Sequence, residues 1–446
     1  MRVALLSGLL LLALATACAA PAAPTNLPPA LTPVATSPIN ASPVSLAATT
    51  TATSATTATS APSATALPSS TPKPTQTASP TPFLLKNIDR KDFPMTGTVV
   101  PALSVFDDAM WAYLQSHDVL AGTLTIMRNG KIVLSRGYGW IDSSRTRPLP
   151  PDALFRSAGP TSTITAAAVK QLIQKGKLAP DTKLLALLQL APVPGPTPDP
   201  QLNQITVQQA LDSISVPLNQ TTPGADLVTG RQPDIIHALG LAGPPSAADI
   251  ARYAISTSMN FIEQGAHGSE RLSYLFLGLA IEKVTGQSYL DYVQKNVLAP
   301  IGLTDVQLAH TLPSQRDPRE PWYSDSSVCD NVMSATPAKV PCADGGFDIE
   351  QLDSTVGLLI SGPAAANLMA KYTYRGDAIA AGRGVDSWYI GPLPGTTTVQ
   401  RWRRDGDLEM VVLLNQKVKE TDRADETQPT LVTVLDDAMG KVKNWP

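Results

Sequence analysis

Thr123-Leu124-Thr125-Ile126-Met127-Arg128-Asn129-Gly130-Lys131-Ile132-Val133-Leu134-Ser135-Arg136-Gly137 is the run from which the architecture can be worked out. Two strand-like stretches, 123–128 and 131–137, flank Asn129-Gly130, the pair that most readily supplies the two positive-φ positions of a tight hairpin turn. A second hairpin is predicted near the C-terminus, 396–403 and 408–415 across Asp405-Gly406. A helix over 106–115 precedes the first hairpin, with Phe106, Ala109, Met110 and Tyr113 on one side, and a helix over 431–442 follows the second. Between them the spacing predicts helices rather than strands: 164–175, stopped by Gly176, then 205–214, 247–256, 272–285 and 289–298. Strands at both ends with helices between predict an α+β fold, in which both chain ends build one antiparallel sheet that carries a helical lobe.

Composition narrows the function classes. The chain has 446 residues, 34 basic and 37 acidic, for a net charge of -3. A near-neutral chain offers no electrostatic case for nucleic acid or an anionic membrane surface. Three cysteines and four histidines, with no Cys-x-x-Cys or His-x-His spacing, argue against an ordinary structural zinc or iron–sulfur site, and no cofactor is implied. Charged residues are 16%, below the ~25% of an ordinary soluble domain, and there are 41 prolines.

Much of that bias sits at the N-terminus. Met1-Arg2, an apolar run over 3–12 and Ala15-Thr16-Ala17-Cys18 have the form of an export signal too short to span a bilayer. The cysteine directly after small residues resembles a bacterial lipoprotein signal, which makes Cys18 the expected lipidated first residue and the membrane the expected anchor; an ordinary signal peptide with a chance cysteine is the alternative. Residues 19–82 are mostly Ala, Thr, Ser and Pro, with Lys73 the only charge. Such a tract has no apolar face to offset its ordering entropy and reads as an extended spacer. The expected organisation is therefore a signal peptide over 1–18, a disordered linker over 19–85 and a folded domain over 86–446, with an extracytoplasmic location.

Within the folded part, Phe155-Arg156-Ser157-Ala158, Thr165-Ala166-Ala167-Ala168 and Lys175-Gly176-Lys177-Leu178 resemble the first helix region of the serine β-lactamase-related family. Glu282-Lys283-Val284-Thr285-Gly286-Gln287-Ser288-Tyr289 and Leu298-Ala299-Pro300-Ile301-Gly302-Leu303 are similar to its middle helices, and Val411-Val412-Leu413-Leu414-Asn415 to a late strand. The resemblance runs in order over about residues 100 to 446 and implies the β-lactamase/transpeptidase-like fold, shared with class C β-lactamases, D-Ala-D-Ala carboxypeptidases and related esterases.

The same resemblance fails at the catalytic positions. Family members use Ser-x-x-Lys, one helical turn apart so that the amine reaches the hydroxyl as its base. Here those positions are Gly159 and Ser162. The Tyr-x-Asn motif falls on Ser269 and Arg271, and Lys- or His-Thr-Gly falls on Tyr389-Ile390-Gly391. Glycine has no attacking atom, and a serine hydroxyl takes no proton near neutral pH. No Ser-x-x-Lys or Gly-x-Ser-x-Gly occurs elsewhere in the folded part; Ser258-Met259-Asn260 and His267 are weaker substitutes. These changes point to a non-catalytic descendant, with an active serine hydrolase using Ser162 or Ser269 as the competing class.

A cleft stripped of its nucleophile keeps other chemistry. Gly159 leaves a backbone amide at a helix start, which favours an anion. Arg271 offers a guanidinium suited to a carboxylate, and Trp388 and Tyr389 offer aromatic faces. The expected ligand is a peptidoglycan-type peptide or a protein partner. The competing expectation is that Arg271 and Tyr389 simply fill the old cleft. Cys329 and Cys342 are the pair left in an exported, lipidated chain, so a disulfide between them is expected. Closing that loop is worth ~3 kcal/mol in the chain-entropy account.

Overall fold

The computed structural model describes residues 85–194, 200–212, 226–256, 270–372, 387–402, 407–418 and 430–446, with the side chains of residues 270 and 387–389 left aside. The predicted leader and nearly all of the predicted linker, together with Cys18, Ser258, His267 and Ser269, lie outside the described residues.

The first hairpin forms where its sequence demands. Strands β2 (Ala121–Arg128) and β3 (Lys131–Gly139) pair antiparallel, and Asn129 and Gly130 take φ of 50° and 72°, the left-handed values that the tight turn requires. The short β1 (Met95–Thr96) joins the outer side of β3. Downstream, β9 (Ser387–Leu393), β10 (Thr396–Trp402) and β11 (Leu408–Leu414) complete a sheet of order β1-β3-β2-β11-β10-β9. N- and C-terminal strands thus meet at β2 and β11, whose antiparallel register runs from Leu408 opposite Arg128 to Leu414 opposite Gly122.

Strand alternation gives the sheet two different faces. Leu124, Ile126, Val399, Met410, Val412 and Leu414 point to one side. There they pack with α1 (Ser104–Ser116) and the C-terminal α11 (Leu431–Lys441). Asp107 on α1 locks this layer internally, accepting from Arg136 Nε at 3.1 Å and from the Tyr138 hydroxyl at 2.8 Å. The other face supports the helical lobe.

That lobe contains α2 (Gly159–Gln174), α3 (Leu184–Leu188), α4 (Val207–Leu211), α5 (Leu227–Gly230) and α6 (Gln232–Leu239), then α7 (Ala247–Ser256), α8 (Glu270–Thr285), α9 (Tyr289–Val293) and α10 (Gly362–Lys371). The fold is α+β and β-lactamase/transpeptidase-like, as the sequence led us to expect. The middle of the chain is not purely helical, however. Strands β4 (Leu154–Arg156), β5 (Gln307–Leu308) and β8 (Leu358–Ser361) form a small sheet, and β6 (Val328–Asp330) pairs with β7 (Lys339–Pro341). These strands are two to four residues long, too short to show an alternating pattern. The expected helix over 289–298 is regular only to Val293 and widens into a π turn over Gln294–Leu298. Cys329 and Cys342 form a disulfide.

Candidate active-site cleft

Strand β4 delivers the chain to the start of α2 through a sharp reversal. Ala158, 2% exposed, holds φ 44° and ψ −102°, a conformation that costs a non-glycine residue energy. Neighbours fix the approach on both sides. The Ser157 amide donates to the Leu358 carbonyl at 2.9 Å, and the Thr398 hydroxyl of β10 donates to the Ser157 carbonyl at 3.1 Å. Gly159 is therefore the first residue of α2, with Pro160 beside it and no side-chain cap on the helix. Its amide is one of the orphan donors of a helix start.

Hydroxyls are abundant here, but bases are not. Ser157 and Thr161 share a hydrogen bond at 2.5 Å, both fully buried. Ser162 reaches only the Thr355 carbonyl, at 3.5 Å, while Thr165 donates to the Ser354 carbonyl at 2.7 Å. Among the described residues no lysine is buried. No histidine lies on α2, α8 or β9. The hydroxyls of Ser157, Thr161, Ser162 and Thr165 thus bond to one another and to carbonyls.

Arg271 opens α8. A cation in the first turn of a helix opposes the macrodipole, and the arginine is compensated locally. Nη1 donates to Asp226 Oδ2 at 3.0 Å, and Nη2 to the Pro392 carbonyl at 2.5 Å. Asp226 also caps α5, accepting from the Thr229 amide at 3.1 Å and the Thr229 hydroxyl at 2.8 Å. One guanidinium therefore ties α5, α8 and the open edge of β9 together. Tyr274, three residues on, is fully buried and donates to the Leu211 carbonyl at 3.1 Å.

Pro392 carries a further consequence. Its carbonyl faces Arg271, away from β10, so its nitrogen faces the same open edge. A proline there has no hydrogen to donate. Gly391 lies opposite Thr398 and Tyr389 opposite Gln400 in the β9–β10 register, and Trp388 lies opposite Arg401. The three aligned motifs, at the positions that fall on described backbone, converge through two contacts: Thr398 to Ser157, and Arg271 to Pro392.

Two supports lie around this corner. Arg156, 1% exposed, sits over the Tyr323 ring at 4.6 Å and donates to the carbonyls of Ala343, His310 and Thr311 at 2.7, 2.9 and 3.2 Å. Glu320 faces it at 3.5 Å; burial raises the Glu320 carboxyl above its usual range, and the guanidinium opposes that rise. The disulfide loop is thereby fastened to β4. Behind α2, Glu282, Glu350 and Asp353 line a cavity of about 230 Å³. Burial, reinforced by Glu282, pushes Asp353 up to about 7. The turn carrying Asp353 also supplies the carbonyls of Ser354 and Thr355 to α2. It packs so closely that a Cβ on Gly278 would fall 2.2 Å from Ser354 Oγ.

Sequence reasoning identified Gly159, Ser162, Arg271 and Gly391, but not Asp226, Thr398, Pro392 or Asp353. Asp226 precedes Arg271 by 45 residues, and no periodicity links them. Pro392 was readable as a strand residue without an N–H. Among the described residues no group of three or more His, Cys, Asp or Glu is arranged to hold a metal, and no helix is long and apolar enough to cross a membrane.

Comparison with known proteins agrees with this geometry. A family profile described as Beta-lactamase matches residues 106–434. Protein flp of Staphylococcus aureus (strain NCTC 8325 / PS 47) is 26% identical over 202 residues, 44% of this chain and 36% of flp. Esterase EstB of Burkholderia gladioli is 27% identical over 218 residues, 48% of this chain and 52% of EstB. The chain thus spans little more than a third of one curated relative and about half of the other. Among solved structures, D-amino acid amidase from Ochrobactrum anthropi SV3 complexed with L-phenylalanine superposes with a TM-score of 0.54 at 15% identity, covering 76% of this chain and 99% of that one. D-stereospecific amidohydrolase from Streptomyces sp. gives 0.51 at 15% identity, with 71% and 95% covered. At those identities the likeness concerns the fold.

Proposed function

The chain belongs to the Beta-lactamase family, and from that premise we propose that it is a non-catalytic member: an extracytoplasmic module, tethered through lipid at Cys18, whose cleft binds a carboxylate-bearing peptide or cell-wall fragment. The observation that carries this reading is Gly159, a residue without a side chain at the start of α2 where the family places its attacking serine. Ser162 in place of the lysine leaves no amine beside it. In the serine protease subtilisin, losing the nucleophile alone costs ~10⁶ in turnover. Binding chemistry survives such a loss. The Gly159 amide and the guanidinium of Arg271 both favour an anion, and a carboxylate entering the cleft would take the place Asp226 holds on Arg271.

The test is direct. Purified protein is incubated with a labelled β-lactam and a fluorophosphonate and then weighed intact. No adduct is expected; a stoichiometric adduct on any serine overturns the reading. The second reading, an active hydrolase, draws on the close Ser157–Thr161 hydroxyl pair and on relatives named as an esterase and an amidase. The same experiment decides it. For the tether, Cys18→Ser is expected to move the protein from the membrane fraction to the soluble fraction.

A further inference from the structure

Ala343 is where the two walls of the cleft meet the disulfide loop. From the β4 side, Arg156 Nη1 donates to its carbonyl at 2.7 Å, two residues before the strained Ala158 that turns the chain into α2. From the other side comes the turn between β9 and β10, where Gly395 holds φ 77°. A Cβ on Gly395 would fall 2.7 Å from Ala343 Cβ and 2.6 Å from Tyr323 Cβ, so this turn lies directly against the loop. Tyr323 is shared in the same way, since its hydroxyl accepts from the Arg156 amide at 3.0 Å.

Cys342 immediately precedes Ala343 and is 5% exposed, whereas Cys329, on β6, is half-buried between exposed Val328 and Asp330. Little else anchors the loop. Over 325–341 only Val332 is buried, and a segment with so few buried apolar contacts lies at the low end of local stability. Its β6–β7 pairing spans three residues a side, and an isolated two-stranded hairpin is marginal in water even when longer. The cross-link therefore holds the loop in place, and it ends one residue from the point that both walls touch.

We propose that Cys329–Cys342 is a redox switch for the cleft: a dithiol reductant opens it, Ala343 comes away from Arg156 and Gly395, and the entrance to α2 and the β9–β10 turn loosen while α1 and α11 stay folded. One thiolate of the dithiol attacks Cys329, the more accessible residue, and Cys342 leaves as a thiolate that takes up a proton. The second thiolate then attacks the mixed disulfide and releases Cys329. The protein thus gains two electrons and two protons as the dithiol is oxidised to a disulfide, and the reverse reaction resets the switch. The device does not depend on what the cleft binds.

Amide hydrogen exchange of the full chain, read by mass spectrometry before and after dithiothreitol, tests it, with alkylation and peptide mapping to establish that both cysteines are free. Reduction is expected to speed exchange about tenfold or more over 154–166 and 393–398, with α1 and α11 unchanged, and reoxidation to restore protection. Cys329→Ser combined with Cys342→Ser is expected to show the fast pattern without reductant and to ignore its addition. The reduction arm needs no variant to fold. Faster exchange confined to 325–346 overturns the coupling between loop and cleft. Exchange that rises through α1 and α11 as well makes the bond a structural staple and overturns the switch, as does a bond that dithiothreitol leaves intact in the folded protein.

Discussion

In the non-catalytic reading proposed above, Gly159, Arg271 and Pro392 each stand where acyl transfer would need another group. Gly159 offers no attacking atom at the start of α2, and Pro392 has no amide hydrogen on the open edge of β9. Restoring the first pair alone, as Gly159→Ser with Ser162→Lys, is therefore expected to give at most slow acylation by a β-lactam. Adding Pro392→Ser is expected to raise that rate by ~10²-fold, the usual worth of one donor to a developing oxyanion, as read by time-resolved intact mass. Arg271 and Asp226 are each about a quarter exposed, so their pair contributes only ~0.2–1 kcal/mol. Arg271→Ala is expected to lower the melting temperature slightly while abolishing carboxylate binding, a split that calorimetry and thermal unfolding together resolve.

At the level of elements, β4 and the disulfide loop form one unit through Arg156. Replacing Arg156 by alanine strands Glu320 in the interior, and breaking such a buried pair from one side costs ~3–5 kcal/mol. Reducing Cys329–Cys342 removes ~3 kcal/mol of constraint on the unfolded chain. Denaturant melts of Arg156→Ala and of the reduced protein check both values. This scale also separates what was legible in the sequence from what was not. Asn129-Gly130 announced its hairpin because two local residues set the turn, and α8 was visible because its apolar face repeats over 16 residues. Strands β4, β5 and β8 exist only because distant segments align, Phe155 opposite Ile360 and Gln307 opposite Leu359. Likewise Gly159 was recognised by its neighbours in sequence, whereas Asp226 and Thr398 enter the site through tertiary contacts and strand register.

Across the described residues, burial holds the carboxyls of Glu320, Asp348, Asp353 and Glu409 above their usual range, and two of them reach about 7. Burial and Glu282 push Asp353 up to about 7, in a cavity also faced by Glu350 and Tyr289; burial and Asp407 push Glu409 up to about 7. The folded protein therefore holds these protons over a range where the unfolded chain has released them. For a raised pKa, stability is fully present below the ordinary carboxylate range and declines as pH rises through about 7, with a slope approaching ~1.4 kcal/mol per pH unit for each group. Chemical denaturation between pH 5 and 8 is expected to show falling stability toward pH 8. Asp353→Asn and Glu409→Gln should each flatten that trend, and a flat profile in the parent would contradict it.

The seam between β2 and β11 gives assembly an order. A ribosome delivers β2 nearly three hundred residues before its neighbour β11, so through most of synthesis the first hairpin has a bare flank that nothing yet covers. Bare flanks invite pairing with other chains. Truncation anywhere before Leu408 leaves that flank permanently open, and such fragments should be recovered as aggregates rather than as smaller folded proteins.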